Sequence, residues 1–169
     1  MQKICENCFE IYRGTEPIEF CPKRGCLNTI ELVEADDMMV DILIGFWAAG
    51  IQTLFSCAGH LYYQESFPFE PHITFFAYQG DDAGDKEYND ASLADLKELR
   101  AILGALNKNN EFDIGEIRLN ENHAGYEFKL SCKISKKADL TARDRLKIQN
   151  EFLNFLYDAL EAIRGSENA

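Results

Sequence analysis

Tyr126-Glu127-Phe128-Lys129-Leu130-Ser131-Cys132-Lys133-Ile134 alternates apolar and polar residues without a break. A period of two is that of a β-strand, with Tyr126, Phe128, Leu130, Cys132 and Ile134 facing inward and Glu127, Lys129, Ser131 and Lys133 outward. Just upstream, Phe112 to Leu119 reads as the antiparallel partner, joined to it through Asn120 to Gly125.

Working outward, the period changes. On the C-terminal side Ile148, Phe152, Phe155, Leu156, Ala159, Leu160 and Ile163 form the stripe of a helix over 142–164, with Thr141 or Asp139 as its cap and Gly165 as its end. On the N-terminal side Leu93, Leu96, Leu99, Ile102, Leu103 and Leu106 mark a helix to Asn107, begun by Ser92 with Asp95 three residues on and ended by Lys108-Asn109-Asn110. Another helix is predicted over 37–49, with Asp36 as N-cap, Met38, Val40, Ile42, Leu43, Phe46 and Trp47 wrapping it, and Gly50 after its end. Ile51 to Cys57 and the nearly all-apolar Ile73 to Tyr78 complete the strands, the latter as a central strand covered on both faces. Residues 61–70 read as an aromatic, proline-broken loop or lid, and the acidic 80–89 as a surface loop. Strands in pairs with helices between them define an α+β fold: an antiparallel or mixed sheet with helices packed on one face. A doubly wound parallel fold is disfavoured, because no strand runs into a Gly-rich phosphate loop.

The first 33 residues have a different logic. Cys5 and Cys8 stand in C-x2-C spacing, and after twelve residues Cys21 and Cys26 stand in C-x4-C. Two ligands from each of two tight turns can converge on one tetrahedral ion, which predicts a zinc ribbon over 1–33 ahead of an α+β domain over 34–169. A closed four-cysteine site has no open coordination position, so Zn²⁺ would be structural and would supply much of the ribbon's folding free energy. Two disulfides or four free thiols are the alternatives. Paired metal-ligand spacing favours a reducing compartment, and with no long apolar segment near the N-terminus the expected location is cytoplasmic, with no membrane partner.

The formal charge is −12, which disfavours nucleic acid as a partner because that affinity comes mostly from Lys and Arg on phosphates. The charge is uneven: from Lys129 to Lys147 seven basic residues face two acidic ones. A solvated strand and helix surface is the plainer reading of that run, and a local RNA-binding face the sharper one.

Thr53-Leu54-Phe55-Ser56-Cys57-Ala58-Gly59-His60 is the stretch most suggestive of chemistry, a strand running into a turn with a thiol, a glycine and an imidazole. Ser56, Cys57, Gly59 and His60, with His72 on the next strand, are the candidate ligand-binding residues. Cys57 and His60 read either as nucleophile and base or as two metal ligands, with His72 and Cys132 as further contacts; a tight structural turn around Gly59 is the third reading. His72-Ile73-Thr74 also matches one His-x-Thr motif of 2H phosphoesterases, whose chemistry needs two such motifs; His60 and His123 lack the following Thr or Ser.

The helix, Gly50, the Thr53-to-His60 turn and Pro71-x-Ile73-x-Phe75 together resemble a group of small uncharacterised bacterial and phage-encoded zinc-ribbon proteins sharing a Ser-Cys-x-Gly-His motif. A more distant similarity, over Thr53 to Gly59, is to the tRNA wybutosine-synthesising protein 3 family, which implies methyl transfer from S-adenosylmethionine to a tRNA guanosine. This chain has Phe55 and Ala58 where that family has serines, and His60 where it has arginine. The function expected is a zinc-binding cytoplasmic protein that takes a small ligand or macromolecular partner near Ser56 to His60. The alternative is an enzyme acting on nucleotides or RNA, methyltransferase-like or 2H-phosphoesterase-like.

Overall fold

The computed structural model describes residues 2–5, 8–12, 21, 23, 26, 33–59, 69–78, 86–121, 125–133 and 140–166. Three short strands, β1 (Gln2–Ile4), β2 (Ile11–Tyr12) and β3 (Val33–Ala35), form an antiparallel sheet in the order β2-β1-β3. The rest is α1 (Val40–Ala48), β4 (Gln52–Cys57), β5 (His72–Tyr78), α2 (Lys86–Leu106), β6 (Phe112–Ile114), β7 (Arg118–Asn120), β8 (Gly125–Cys132) and α3 (Ala142–Ser166). The second sheet runs β4-β5-β8-β6, with β7 also on β8, and every pairing in it is antiparallel. The fold is α+β, as the patterning predicts, and the sheet is antiparallel rather than mixed.

Alternation in β8 sets the layers. Phe128 and Leu130 are fully buried, and their register partners Phe75 and Ile73 on β5 are equally inaccessible. This face carries the helices: Phe75 meets Phe46 of α1 edge-on at 4.9 Å between ring centroids, and Phe112 of β6 stacks on Phe155 of α3 at 4.2 Å. Leu96, Leu99 and Leu103 of α2 join the same core. β5, central as expected, is buried on both faces, with Thr74 and Phe76 opposite the helices. On that second face Glu127 is 7% exposed, and its carboxylate accepts from Arg118 and from Asn120, tying β7 to β8.

Several boundaries differ from the sequence reading. Asp37 to Met39 form a turn ahead of α1, so helical spacing does not govern them; Met39 is buried and Met38 is 44% exposed. Asp36 makes no side-chain cap to α1. Helix α2 begins at Lys86, taking in the end of the acidic segment, because nothing between Lys86 and Ser92 breaks a helix. The strand expected over 112–119 is broken at Gly115–Ile117: Gly115 N–H bonds Lys129 C=O while Arg100 Nε holds Gly115 C=O at 2.7 Å, and the register to β8 slips by one residue. Asn107 ends α2 by bonding both backbone groups of Phe112, which docks the helix on β6. Helix α3 continues through Gly165 to Ser166.

Thr141 is the cap of α3, in a reciprocal box with Asp144. Asp144 N–H donates to Thr141 Oγ1 at 3.2 Å, and Thr141 N–H and Oγ1–H donate to the carboxylate at 3.0 and 2.6 Å. The Thr141 hydroxyl, then its N–H, hold the Asp144 carboxyl below its ordinary 3.8. A depressed carboxyl stabilises the fold above its unfolded pKa and loses that contribution as the pH falls through the folded value. Amides at 141–145 are therefore expected to lose hydrogen-exchange protection below about pH 4, and Asp144→Asn should remove that dependence.

Candidate metal centre and sheet-end site

The four N-terminal cysteines converge. Their sulfur atoms all lie within 4.8 Å of one another, with Cys5 to Cys26 at 3.7 Å and Cys8 to Cys21 at 3.6 Å. Disulfide sulfurs would stand ~2.05 Å apart, and none of the four cysteines is in a disulfide. Four thiolates around a tetrahedral ion at ~2.3 Å stand about 3.8 Å from one another, so the donor set fits a zinc-sized soft ion.

The first turn is built for this. Phe9 N–H bonds Cys5 C=O at 2.8 Å and Cys5 N–H bonds Glu10 C=O at 3.1 Å, with Phe9 at φ 58° closing the knuckle. Glu10 N–H points to the Cys8 sulfur, and Lys23 N–H to the Cys21 sulfur. The Lys23 N–H favours thiolate at Cys21, but burial and crowding by Cys8, Cys26 and Cys5 outweigh it and push that thiol up to about 12. Lys23 pairs with Glu10 at 3.4 Å, bracing one turn against the other. The ribbon's sheet extends across position 33 to Ala35, and Ile4 and Ala35 lie in the main core.

At the other candidate site the turn after β4 is bolted from three sides. Asp36 Oδ2 accepts Ala58 N–H at 3.1 Å, so the residue read as a helix cap holds this turn instead. Gln149 of α3, 2% exposed, donates its amide to Ala58 C=O and Gly59 C=O, each at 3.0 Å. Gly59 stands at φ +89°, and a Cβ there would meet Phe69 at 2.7 Å and Pro71 at 2.9 Å. Arg145 of α3 lies 5.6 Å from the Phe69 ring centroid. Gln149 and Phe69 were not picked out by sequence reasoning. The signal for Gln149 was an amide three residues before Phe152 on the buried stripe.

Register places Cys57 opposite His72, His72 opposite Ser131 and Ser131 opposite Asp113, one row across four strands. His72 Nδ1 lies 2.7 Å from Glu70 C=O, which can only accept, so the neutral ring carries its proton on Nδ1 and leaves the Nε2 lone pair free. Glu70 in turn pairs with Lys129 at 2.6 Å. Burial, partly offset by Gly59 N–H and reinforced by the Asp36 and Glu70 charges, raises the Cys57 pKa and keeps it a thiol.

Cys132 does not join this row. It is one residue out of phase with Ser131, lies on the helix-covered face and is pushed up to about 12 by burial and then by Glu151 of α3. Adjacent strand residues point to opposite faces, so Cys57 and Cys132 cannot share an ion. Among the described residues the N-terminal cysteines alone gather three or more metal-ligating groups. His60 and most of the 61–70 loop fall outside the described residues. So do Lys136 and Lys137 of the basic run. Of its other members, Lys129 pairs with Glu70, Lys133 with Asn110 and Lys147 with Glu151, as a solvated surface would.

Fold and cysteine cluster together define an antiparallel α+β protein with a four-cysteine N-terminal centre suited to metal. No family model, curated protein or solved structure matches the chain. Among the described residues no helix is long and apolar enough to cross a membrane.

Proposed function

We propose that this is a zinc-stapled binding protein of a reducing, cytoplasmic compartment. Zn²⁺ would sit between Cys5, Cys8, Cys21 and Cys26 as a structural ion, and a small ligand or macromolecular partner would dock at Cys57 to His60 beside His72, without Ser56, which pairs with Ile73 on the helix-covered face. The observation that carries the reading is the convergence of the four sulfurs within 4.8 Å. The rigidly held turn, and an Nε2 of His72 that has no partner among the described residues, support the docking half, since a preformed site loses little entropy on binding. A thiol held above its ordinary pKa at Cys57 favours binding over nucleophilic catalysis, which needs thiolate.

Purified protein should contain one zinc per chain by elemental analysis. Nucleotides and S-adenosylmethionine should then be screened by thermal shift against wild type and His72→Ala. The expected result is a stabilising ligand whose effect disappears in His72→Ala while that variant's own stability falls by no more than about 1.5 kcal/mol, the worth of its bond to Glu70. A metal-free, disulfide-bonded chain would overturn the zinc half; unchanged ligand shifts in His72→Ala would overturn the docking half. The enzyme alternative draws on His72 and Thr74 lying on one sheet face, and turnover of S-adenosylmethionine or a phosphodiester would favour it.

A further inference from the structure

A cleft of about 290 Å³ opens where the end of α1, the middle of α2 and the last turns of α3 meet. Its wall residue Ile51 immediately precedes β4, whereas Cys57 is at that strand's end, roughly 20 Å away at the rise of a strand. Ile51, Leu99, Ile102 and Ile163 supply apolar walls, and Asp95 and Glu98 stand among them. These two carboxylates are exposed and one turn apart on α2, so they share a face. Among the described residues neither has an ion pair or hydrogen bond, and no Lys or Arg lines the cleft. A second depression shares Ile51 and Asp95 with the first and continues past Tyr78, which is 42% exposed.

We propose that this cleft is a binding site for a small organic ammonium ion with an apolar body. The apolar walls would cover the body, and Asp95 and Glu98 would flank the cation. The combination selects the class: an anion would face two carboxylates in a chain of net charge −12, and a neutral apolar molecule would leave both unused. A hard divalent cation needs six or more oxygen ligands, which two carboxylates over isoleucine and leucine do not provide. The volume lies near the lower bound of small-molecule pockets, about 300 Å³.

The test uses three probes of one shape, phenethylammonium, phenethyl alcohol and 3-phenylpropionate, titrated into the full-length protein and followed by amide chemical shifts. Phenethylammonium should give saturable shifts confined to Ile51, Asp95 to Ile102 and Ile163. The alcohol should bind about tenfold more weakly and the carboxylate should give no shifts at the same concentrations, as expected for two exposed charge contacts. The double variant Asp95→Asn/Glu98→Gln, with both changes on an exposed helix face, should weaken the ammonium about tenfold and leave the alcohol unchanged. Ile102→Trp, which fills the cleft from a half-buried position, should abolish both. Equal binding of all three probes, shifts centred elsewhere, full affinity in the double variant, or no binding of the ammonium at millimolar concentration would each overturn the proposal.

Discussion

Cys26→Ser is expected to release the metal and unfold the ribbon while the rest of the sheet stays paired. The exchange of sulfur for oxygen is nearly isosteric, and Cys26 is half-buried outside any strand, so the substitution alone disturbs little packing. What is lost is one ligand of a closed site, in a segment whose short strands, Gln2–Ile4 and Ile11–Tyr12, cannot hold together unaided. The cost is on the order of 4 kcal/mol, in the class of losses reserved for metals and disulfides. At this chain length that is a fall of roughly 10 °C in Tm. Hydrogen exchange should show amides of β1 to β3 unprotected and those of β5 and β8 still protected, though less strongly than in wild type. Cys132→Ser is the control: it should keep full metal content, because that thiol faces α3 and not the cluster. Metal retained in Cys26→Ser, or none in wild type, would refute the assignment. If the wild type is oxidised instead, the short separations predict Cys5–Cys26 and Cys8–Cys21 linkages, distinguishable by peptide mass mapping.

Gly59→Ala should be the most damaging single methyl group at the sheet-end turn. Two penalties act together. A side chain at φ +89° is strained by on the order of 1–2 kcal/mol, and the new Cβ would press on Phe69 at 2.7 Å and Pro71 at 2.9 Å, adding an overpacking cost of about 1–3 kcal/mol. Relief by moving the turn would stretch the bonds to Gln149 and Asp36 and leave the Gln149 amide buried without acceptors. A total of roughly 2–5 kcal/mol corresponds to a Tm lower by roughly 10 °C. Gly104→Ala should act in the opposite sense. That position is inside α2 with nothing within 4 Å of the new Cβ, so replacing a flexible glycine should stabilise by about 0.5–1 kcal/mol. Equal Tm values for the two variants would show that the turn is not held as described.

Local chemistry determined a good part of this protein. The unbroken alternation of Tyr126 to Cys132 sets which side of β8 meets the helices, because the period of a strand leaves no freedom in the matter. The spacing of Cys5, Cys8, Cys21 and Cys26 announces one convergent centre, since knuckle geometry is local at each pair. Thr141 as the cap of α3 and Asn107 to Asn110 as the end of α2 were likewise legible, because caps act over three or four residues.

Tertiary structure decided the rest. Asp36 has the residue type and position of an N-cap, yet its carboxylate reaches Ala58, 22 residues on, because β4 returns beside the start of α1. Gln149 meets the same turn across 90 residues, a distance no spacing rule covers. Cys57 and Cys132 look like partners on neighbouring strands until pairing through β5 puts them on opposite faces of the sheet. The acid-flanked cleft draws on Ile51, Asp95, Glu98 and Ile163, which share no motif. Side-chain direction follows from local periodicity, but which groups meet depends on strand order and helix docking, and those are settled only when the whole core closes.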